Sequence, residues 1–239
     1  MENCKTTPKK LLISIGMLGL LSILFSSCLK DKNNGYTPPA ALVSFIQASP
    51  DEPPLDLFLN NDRVNAWPIN YGDKIDYFRA YTGTRTVNIY NNSTMNTILS
   101  DTIHLTQNVN YSLFLVNTVA TPQILLLTDS LNKPTSGNAG LRFINLSPDA
   151  PAVDLVVEGG AVLVSNKSFK GYSSFLPIPA KANYTLQVRK TGTSTVLASI
   201  PNITLNNGFV YTLWLQGLAT TTKTTDTLSA RIVTNAFYQ

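Results

Sequence analysis

The chain has 239 residues, of which 44% are hydrophobic and only 13% charged, and its formal net charge is +4. This balance argues against an intrinsically disordered chain, because disorder needs high charge and few apolar residues. It also argues against nucleic-acid binding as a main task, because a phosphate-binding face needs clustered Lys and Arg.

Residues 1–27 have the pattern of a secretory signal peptide. Three lysines lie within the first ten residues, residues 11–25 form an uncharged apolar run, and two serines follow. A basic head, a short apolar segment and small residues are typical of such a leader. The alternative is a retained membrane anchor, but 15 apolar residues are fewer than the about 20 that a spanning helix needs. Removal of the leader would lower the net charge to +2.

Cys28 follows the leader directly, in the segment Leu24-Phe-Ser-Ser-Cys28. This segment resembles the lipobox of bacterial lipoproteins, although Phe25 departs from the usual aliphatic residue. The resemblance implies a signal peptide that is cut before Cys28 and a lipid, such as palmitate, on its thiol. Cys4 would leave with the leader, so the mature chain would hold one cysteine and no internal disulfide.

The residues after the cysteine bear on location. By resemblance to lipoprotein sorting rules, Leu29 implies the outer membrane, and Lys30-Asp31 resembles charged signals for export to the cell surface. Whether the protein faces outward or into the periplasm stays open. Residues 28–39 are polar and rich in Asn, Gly and Pro, which predicts a tether between membrane and first domain.

An internal repeat dominates the rest of the chain. Val43–Leu57 matches Leu141–Leu155, and Leu105–Leu115 matches Leu205–Leu215. Copies of roughly 100 residues can each bury a core of their own.

The repeat predicts the domain boundaries. We expect a first copy at residues 40–129, a polar linker at residues 130–138 and a second copy at residues 139–239.

Both copies have the patterns of β-strands. Thr86–Tyr90 and Tyr184–Val188 alternate polar and apolar residues, as half-buried strands do. Turn-forming residues recur every 8 to 12 positions, and no helical period follows the leader. The predicted fold class is all-β, with two tandem β-sandwiches of immunoglobulin or transthyretin-like type.

A Ser-Pro-Asp turn followed by a second aspartate occurs once in each copy. A proline after a serine presets the second position of a turn, and the later aspartate begins the next strand. We expect the later carboxylates to accept backbone N–H groups of a nearby turn. The motif comprises Ser49, Pro50, Asp51 and Asp56 in the first copy and Ser147, Pro148, Asp149 and Asp154 in the second.

The segment Ser147-Pro-Asp-Ala-Pro-Ala-Val-Asp-Leu155 resembles the signature of the domain of unknown function 4397 (DUF4397) family. That resemblance implies exported bacterial proteins, often with tandem copies, that form β-sandwich modules. It implies no established activity and offers no catalytic residues. The first copy departs from the signature at Glu52, Pro54 and Leu55.

Catalytic patterns are scarce. The single histidine, His104, lies on the polar side of a predicted strand, and no nucleophile-elbow motif accompanies it. A hydrolase with His104 as its base is one alternative, but an exposed strand residue explains it better. The sequence has no phosphate-binding loop and no His and Cys set for zinc. We therefore expect a non-enzymatic protein without cofactor or metal.

The aspartates of the repeated motif leave one question open. Spaced carboxylates could bind calcium or form a glycosidase pair. Residues present in both copies are better explained by the fold, however. Calcium binding therefore remains an alternative.

Two aromatic residues differ between the copies, and these are the candidate ligand-binding residues. Trp67 aligns with Ser165, and Tyr81 aligns with Pro179. Exposed aromatic rings can stack on sugars. The alternative for Trp67 is that it covers a seam between the copies or the end of a sandwich.

These patterns predict a lipid-anchored module of the cell envelope that serves attachment or assembly. Its expected partners are the membrane, through the N-terminal lipid, and an envelope protein or a glycan; nucleic acid is not among them. The alternative is a glycan-binding accessory lipoprotein of a polysaccharide uptake system.

Overall fold

The computed structural model describes residues 38–239. The predicted leader, Cys28 and most of the predicted tether lie outside the described residues, so those expectations stay predictions. Within residues 38–239, no helix is long and apolar enough to cross a membrane. This part of the chain forms sixteen β-strands and a short 3-10 turn at Thr224–Asp226.

Both copies form eight strands, because short runs of β-branched, aromatic and leucine residues alternate with turns rich in Asn, Gly and Pro. The strands of the first copy are β1 (Ala40–Gln47), β2 (Leu55–Leu59), β3 (Asp62–Arg63), β4 (Lys74–Tyr81), β5 (Gly83–Asn91), β6 (Thr97–Leu105), β7 (Asn110–Val116) and β8 (Gln123–Thr128). Those of the second copy are β9 (Asn138–Asn145), β10 (Val153–Val157), β11 (Val162–Lys167), β12 (Leu176–Pro179), β13 (Lys181–Lys190), β14 (Val196–Leu205), β15 (Phe209–Gln216) and β16 (Ser229–Phe237).

Each copy folds into two four-stranded sheets. The orders are β4-β1-β7-β8 and β3-β2-β5-β6 in the first copy, and β12-β9-β15-β16 and β11-β10-β13-β14 in the second. The two sets correspond strand for strand. Pairing is antiparallel except between β1 and β7 and between β9 and β15. The predicted all-β sandwich class is confirmed.

Within each copy, the two sheets enclose an apolar core. Val43 and Phe45 of β1 pack with Leu57 of β2 and Val87 of β5 in the first copy. The second copy builds its core from the corresponding strands. Alternation along each strand sends these side chains to one face of the sheet.

A third apolar layer lies between the copies. We call the sheets β4-β1-β7-β8 and β12-β9-β15-β16 the inner sheets, and the other two the outer sheets. Ile46 and Phe114, on the first inner sheet, cluster with Ile144 and Trp214 of the second. These four side chains are completely buried. Pro39–Gln239 is accordingly one compact unit with four sheets and three apolar layers.

A buried ion pair crosses this third layer. Arg142 Nη1 of β9 lies 2.5 Å from Asp129 Oδ1, just after β8, and both side chains are almost fully buried. The Arg142 guanidinium also donates to the hydroxyls of Ser112 and Thr212. Its carbon lies 4.5 Å from the centre of the Phe175 ring.

Tyr77 and Asn235 complete the network. The Tyr77 hydroxyl donates to Asp129 Oδ2 and accepts from Asn235 Nδ2 at 3.1 Å. Burial raises the pKa of Tyr77, and the Asp129 carboxylate raises it further. Each member of the network therefore has a partner from the opposite copy, directly or through one neighbour.

Candidate functional site

The Ser-Pro-Asp turns tie down loops on both copies. Asp51 Oδ1 accepts the backbone N–H of Val119 at 2.8 Å. Asp149 accepts the backbone N–H groups of Ala219 and Thr220 at 2.7 and 3.0 Å. Burial by itself raises the pKa of Asp149, but the Thr220 hydroxyl, which also donates to this carboxylate, and the two backbone N–H groups outweigh it and hold the pKa below its ordinary value. Both carboxylates thus fix the loop after the seventh strand of their copy.

The serines of the same turns are also engaged. Ser49 Oγ donates to the carbonyl of Asn117 at 2.5 Å, next to the loop that Asp51 holds. Ser147 N–H donates to Asn145 Oδ1 at 3.1 Å. Pro50 and Pro148 each stand between the serine and the aspartate of their turn.

Asp154 has the predicted kind of partner. It accepts the backbone N–H groups of Asn166 and Gly192 at 2.8 and 3.1 Å, and the Thr191 hydroxyl at 2.8 Å. Burial raises its pKa, and these donors lower it by more, so the carboxylate stays ionised.

Asp56 differs from the expectation, because its donors are side chains. Arg63 Nη2 lies 2.6 Å from Asp56 Oδ1, and the amides of Asn65 and Asn92 donate to the same carboxylate. Burial raises the pKa of Asp56, and the amides and the Arg63 charge lower it by more. The first copy places Asn65 where it can donate to the carboxylate and also accept the Leu57 N–H.

Trp67 stands on a loop that Asn65 holds in place. Asn65 Nδ2 donates to the Trp67 carbonyl at 2.8 Å, while the indole is 81% exposed. An indole this exposed does not cover a seam between the copies. It borders a hollow of about 330 Å³, lined by residues 64–69 and 73–75.

Tyr81 ends β4 and is 58% exposed. It borders a second hollow of about 230 Å³ between β3 and β4, the edge strands of the two sheets of the first sandwich. We call this the arginine hollow, because Arg63, Arg79 and Arg85 line it together with Asn60 and Asp62.

Trp67 and Tyr81 therefore lie along the same open edge but border different hollows. Val64 lines both. Differences between the copies predict the aromatic pair, whereas our sequence analysis does not identify the arginines. The sequence does contain a signal for them, because in the alignment of the two copies Arg63 corresponds to Ala161 and Arg79 corresponds to Pro177.

The candidate catalytic base from the sequence analysis is His104. His104 is exposed on β6, opposite Thr84 of β5. Within residues 38–239, no group of three or more His, Cys, Asp or Glu side chains is arranged to hold a metal ion.

Comparison with known proteins assigns a family. Residues 41–156 match the family model described as "Domain of unknown function (DUF4397)". These residues belong to that family. The resemblance expected from the Ser-Pro-Asp motif is thereby confirmed. The DUF4397 match runs from β1 to β10 and includes the Asp51, Asp56, Asp149 and Asp154 carboxylates, Trp67, Tyr81 and the arginine hollow.

Two further comparisons add little. No curated protein matches the chain. Among solved structures, one match is CBMbc (family CBM26) from Eubacterium rectale Amy13K in complex with maltoheptaose. It is 9% identical, covers 82% of this chain and 97% of its own, and has a TM-score of 0.26. A TM-score this low is not sufficient to assign a fold or a function to this chain.

Proposed function

We propose that the protein is a non-enzymatic binding or structural module, anchored to the outer membrane by lipid on Cys28 and serving attachment or assembly at the cell envelope. The observation that carries this is the use of the repeated carboxylates. Asp51, Asp149 and Asp154 hold loops and Asp56 holds side chains of its own copy. Because these carboxylates are occupied by donors of their own copy, a role in stabilising the fold explains them better than calcium binding or glycoside hydrolysis.

The anchor is supported by the leader pattern and by the single cysteine of the mature chain. Metabolic labelling with a palmitate analogue, followed by membrane fractionation, tests it. We expect labelled protein in the outer-membrane fraction and loss of label and of processing in Cys28→Ala. Cys4→Ala is the matched control and keeps both. An unlabelled wild-type protein, or a Cys28→Ala variant that is still labelled, would refute the anchor.

The second candidate function is glycan capture for an uptake system, with Trp67 and Tyr81 as the platform. It is favoured by the exposure of both rings and by a hollow beside each. The faces of aromatic rings bind sugar rings by stacking, and the stacked ring displaces weakly bound water. This candidate keeps the anchor and adds a ligand.

Affinity electrophoresis of the full-length protein in detergent, with a panel of polysaccharides in the gel, tests glycan capture. We expect retardation by at least one glycan and its loss in Trp67→Ala or Tyr81→Ala. Tyr172→Ala is the matched control, because Tyr172 is an exposed aromatic of the second copy. Equal retardation of all variants, or none by any glycan, would reject this candidate.

A further inference from the structure

The arginine hollow concentrates positive charge in a chain that has little charge. Three arginines and one carboxylate, Asp62, are among its ten lining residues, whereas 13% of the whole chain is charged. The buried carboxylate of Asp56 pairs with Arg63 and neutralises part of its charge. The hollow therefore keeps an excess of positive charge at an open, solvent-facing edge.

Arg85 shows that this charge is not required by the fold. Its Nε donates to the Tyr81 carbonyl at 2.9 Å. Arg85 pairs with Ile103 across the sheet, as Tyr184 pairs with Ile203 in the second copy. The Tyr184 hydroxyl donates to the Pro179 carbonyl at 3.0 Å, the position equivalent to Tyr81. In both copies a side chain thus donates to the carbonyl at this position of the edge strand, and only in the first copy is that donor charged.

Of the three arginines, Arg79 is the one whose charge is most available to a ligand. It is exposed on β4, and it forms no ion pair with any residue of the described chain, 38–239. Its counterpart is Pro177. The equivalent hollow of the second copy, about 270 Å³ between β11 and β12, is lined by Leu, Val, Ile and Pro side chains. The charged hollow is therefore a property of the first copy alone among the two.

We propose that the arginine hollow binds the carboxylate or sulfate groups of an acidic polysaccharide, with Arg79 as the main charged contact and Tyr81 stacking on a neighbouring sugar. Guanidinium groups bind both anions through paired N–H donors. The hollow is smaller than the about 300–1,000 Å³ of enclosed small-molecule sites. That size suits one unit of a longer chain lying along the edge. This inference rests on glycan capture and names its substrate class.

The experiment is affinity electrophoresis of the full-length protein in detergent at low salt. The probes are polygalacturonate for carboxylate, chondroitin sulfate for sulfate, and hydroxyethyl cellulose as a neutral polymer. We expect retardation by one or both acidic polymers. The apparent Kd should rise about tenfold in Arg79→Gln, the range of one charge-assisted contact. It should rise also in Tyr81→Ala and with added salt.

Lys190→Gln is the matched control, because it removes one exposed charge from the second copy and should leave binding unchanged. Thermal unfolding of each variant confirms that it is folded. Equal loss in Lys190→Gln and Arg79→Gln would mean diffuse charge attraction and would overturn the proposal. Retardation by the neutral polymer only, lost in Trp67→Ala, would overturn it and leave glycan capture standing.

Two remaining outcomes also overturn the proposal. Retardation by none of these polymers, nor by any glycan of the wider panel, rejects glycan capture together with the acidic substrate. Vesicles that contain anionic phospholipid provide the last arm. Because the lipid anchor inserts into any vesicle, the comparison is with vesicles of neutral phospholipid. If the wild type prefers the anionic vesicles, Arg79→Gln loses this preference, and no polysaccharide retards either protein, the hollow recognises lipid head groups instead.

Discussion

Asp56 and Asp154 occupy equivalent positions in the two copies and are kept ionised by different donors. Side-chain amides and Arg63 surround Asp56, whereas backbone N–H groups and a hydroxyl surround Asp154. The position of the carboxylate follows from the repeat. The identity of its donors depends on which loop residues approach it, and those are not the same in the two copies.

Asp154→Ala should lower the free energy of unfolding by about 2–4 kcal/mol at pH 7, because it leaves two backbone N–H groups without their acceptor. The folded-state pKa of Asp154 lies below its ordinary value, so this stabilisation is present above about pH 4. It is lost as the pH falls through the folded-state pKa. Urea unfolding at pH 7 and pH 3 measures it, with exposed Asp101→Ala as control. An equal loss in both variants would contradict this role.

Glu52 is a buried carboxyl of the first Ser-Pro-Asp turn that has no hydrogen-bond partner within residues 38–239. Burial, and then the charge of Asp51, raise the pKa of Glu52 to about 7. The folded state therefore favours the neutral acid, whereas the unfolded chain ionises near its ordinary pKa of 4.5. Stability should fall as the pH rises from 4.5 to 7, and the full penalty should apply above 7.

Glu52→Gln should remove this penalty. We expect the variant to be more stable than the wild type by about 1–3 kcal/mol at pH 8.5, with little difference at pH 4.5. Chemical unfolding across this pH range measures the difference. Glu158→Gln, an exposed residue of the second copy, is the control. A difference between Glu52→Gln and wild type that does not vary with pH would disprove the assignment.

At the scale of elements, one loop follows the seventh strand of each copy and needs a left-handed residue. Asn117 has φ of 72° after β7, and Gly217 has φ of 94° after β15. The Cβ of any side chain at Gly217 would also clash with the Thr227 carbonyl oxygen. Asparagine tolerates the angle, but only glycine permits this close approach.

Gly217→Ala should therefore lower the free energy of unfolding by about 2–4 kcal/mol, since both the backbone angle and the contact are unfavourable. Gly192→Ala separates the two effects, because Gly192 has φ of 72° and no neighbour within 4 Å of the added Cβ. That control should lose about 1 kcal/mol. Equal losses, measured by urea unfolding, would show that the close approach is unimportant.

Across the whole molecule, the central strands β7, β9 and β15 of the inner sheets are buried on both faces. Tyr111, Leu113 and Leu115 of β7 face the core of the first copy, while Phe114 and Val116 face the second copy. Such strands appear in sequence as continuous apolar runs instead of alternating ones. The shared layer makes each copy part of the packing surface of the other.

The buried ion pair predicts strong coupling across that layer. Arg142→Ser, which introduces the residue of the equivalent position 44, should lower the free energy of unfolding by about 3–5 kcal/mol, because Asp129 is left as an unpaired buried charge. Asp129→Asn, which introduces the amide of the equivalent position 235, should restore much of this loss in the double variant. A double-mutant cycle by urea unfolding measures the coupling. Additive single effects would refute it.

The two copies should also unfold together. Loss of one copy would expose the apolar layer of the other, including Phe114 and Trp214, so a half-unfolded chain is unfavourable. Scanning calorimetry should give a single transition with equal calorimetric and van't Hoff enthalpies. Two resolved transitions would contradict this, and Phe114→Ala should favour their separation.

The amino-acid sequence is enough to predict the repeat, the strand class and the resemblance to DUF4397. These follow from local patterns: alternation fixes which side chains share a face, and Ser-Pro-Asp turns recur at a fixed spacing. The continuous apolar run in β7 and the lone arginine in β9 were signals of a second buried face. They could not be interpreted without knowing what covers that face.

Three features become visible only in the folded chain. Arg142 and Asp129 form a buried pair, Trp67 is exposed, and Arg63, Arg79 and Arg85 line one hollow. The physical reason is that alternation along a strand is local, whereas burial of its second face depends on sheets far apart in sequence. Arg63 and Arg79 lie on β3 and β4, edge strands of two different sheets, and they line one hollow because these two edges lie side by side. Arg85 joins them from the start of β5, which directly follows β4 in the chain.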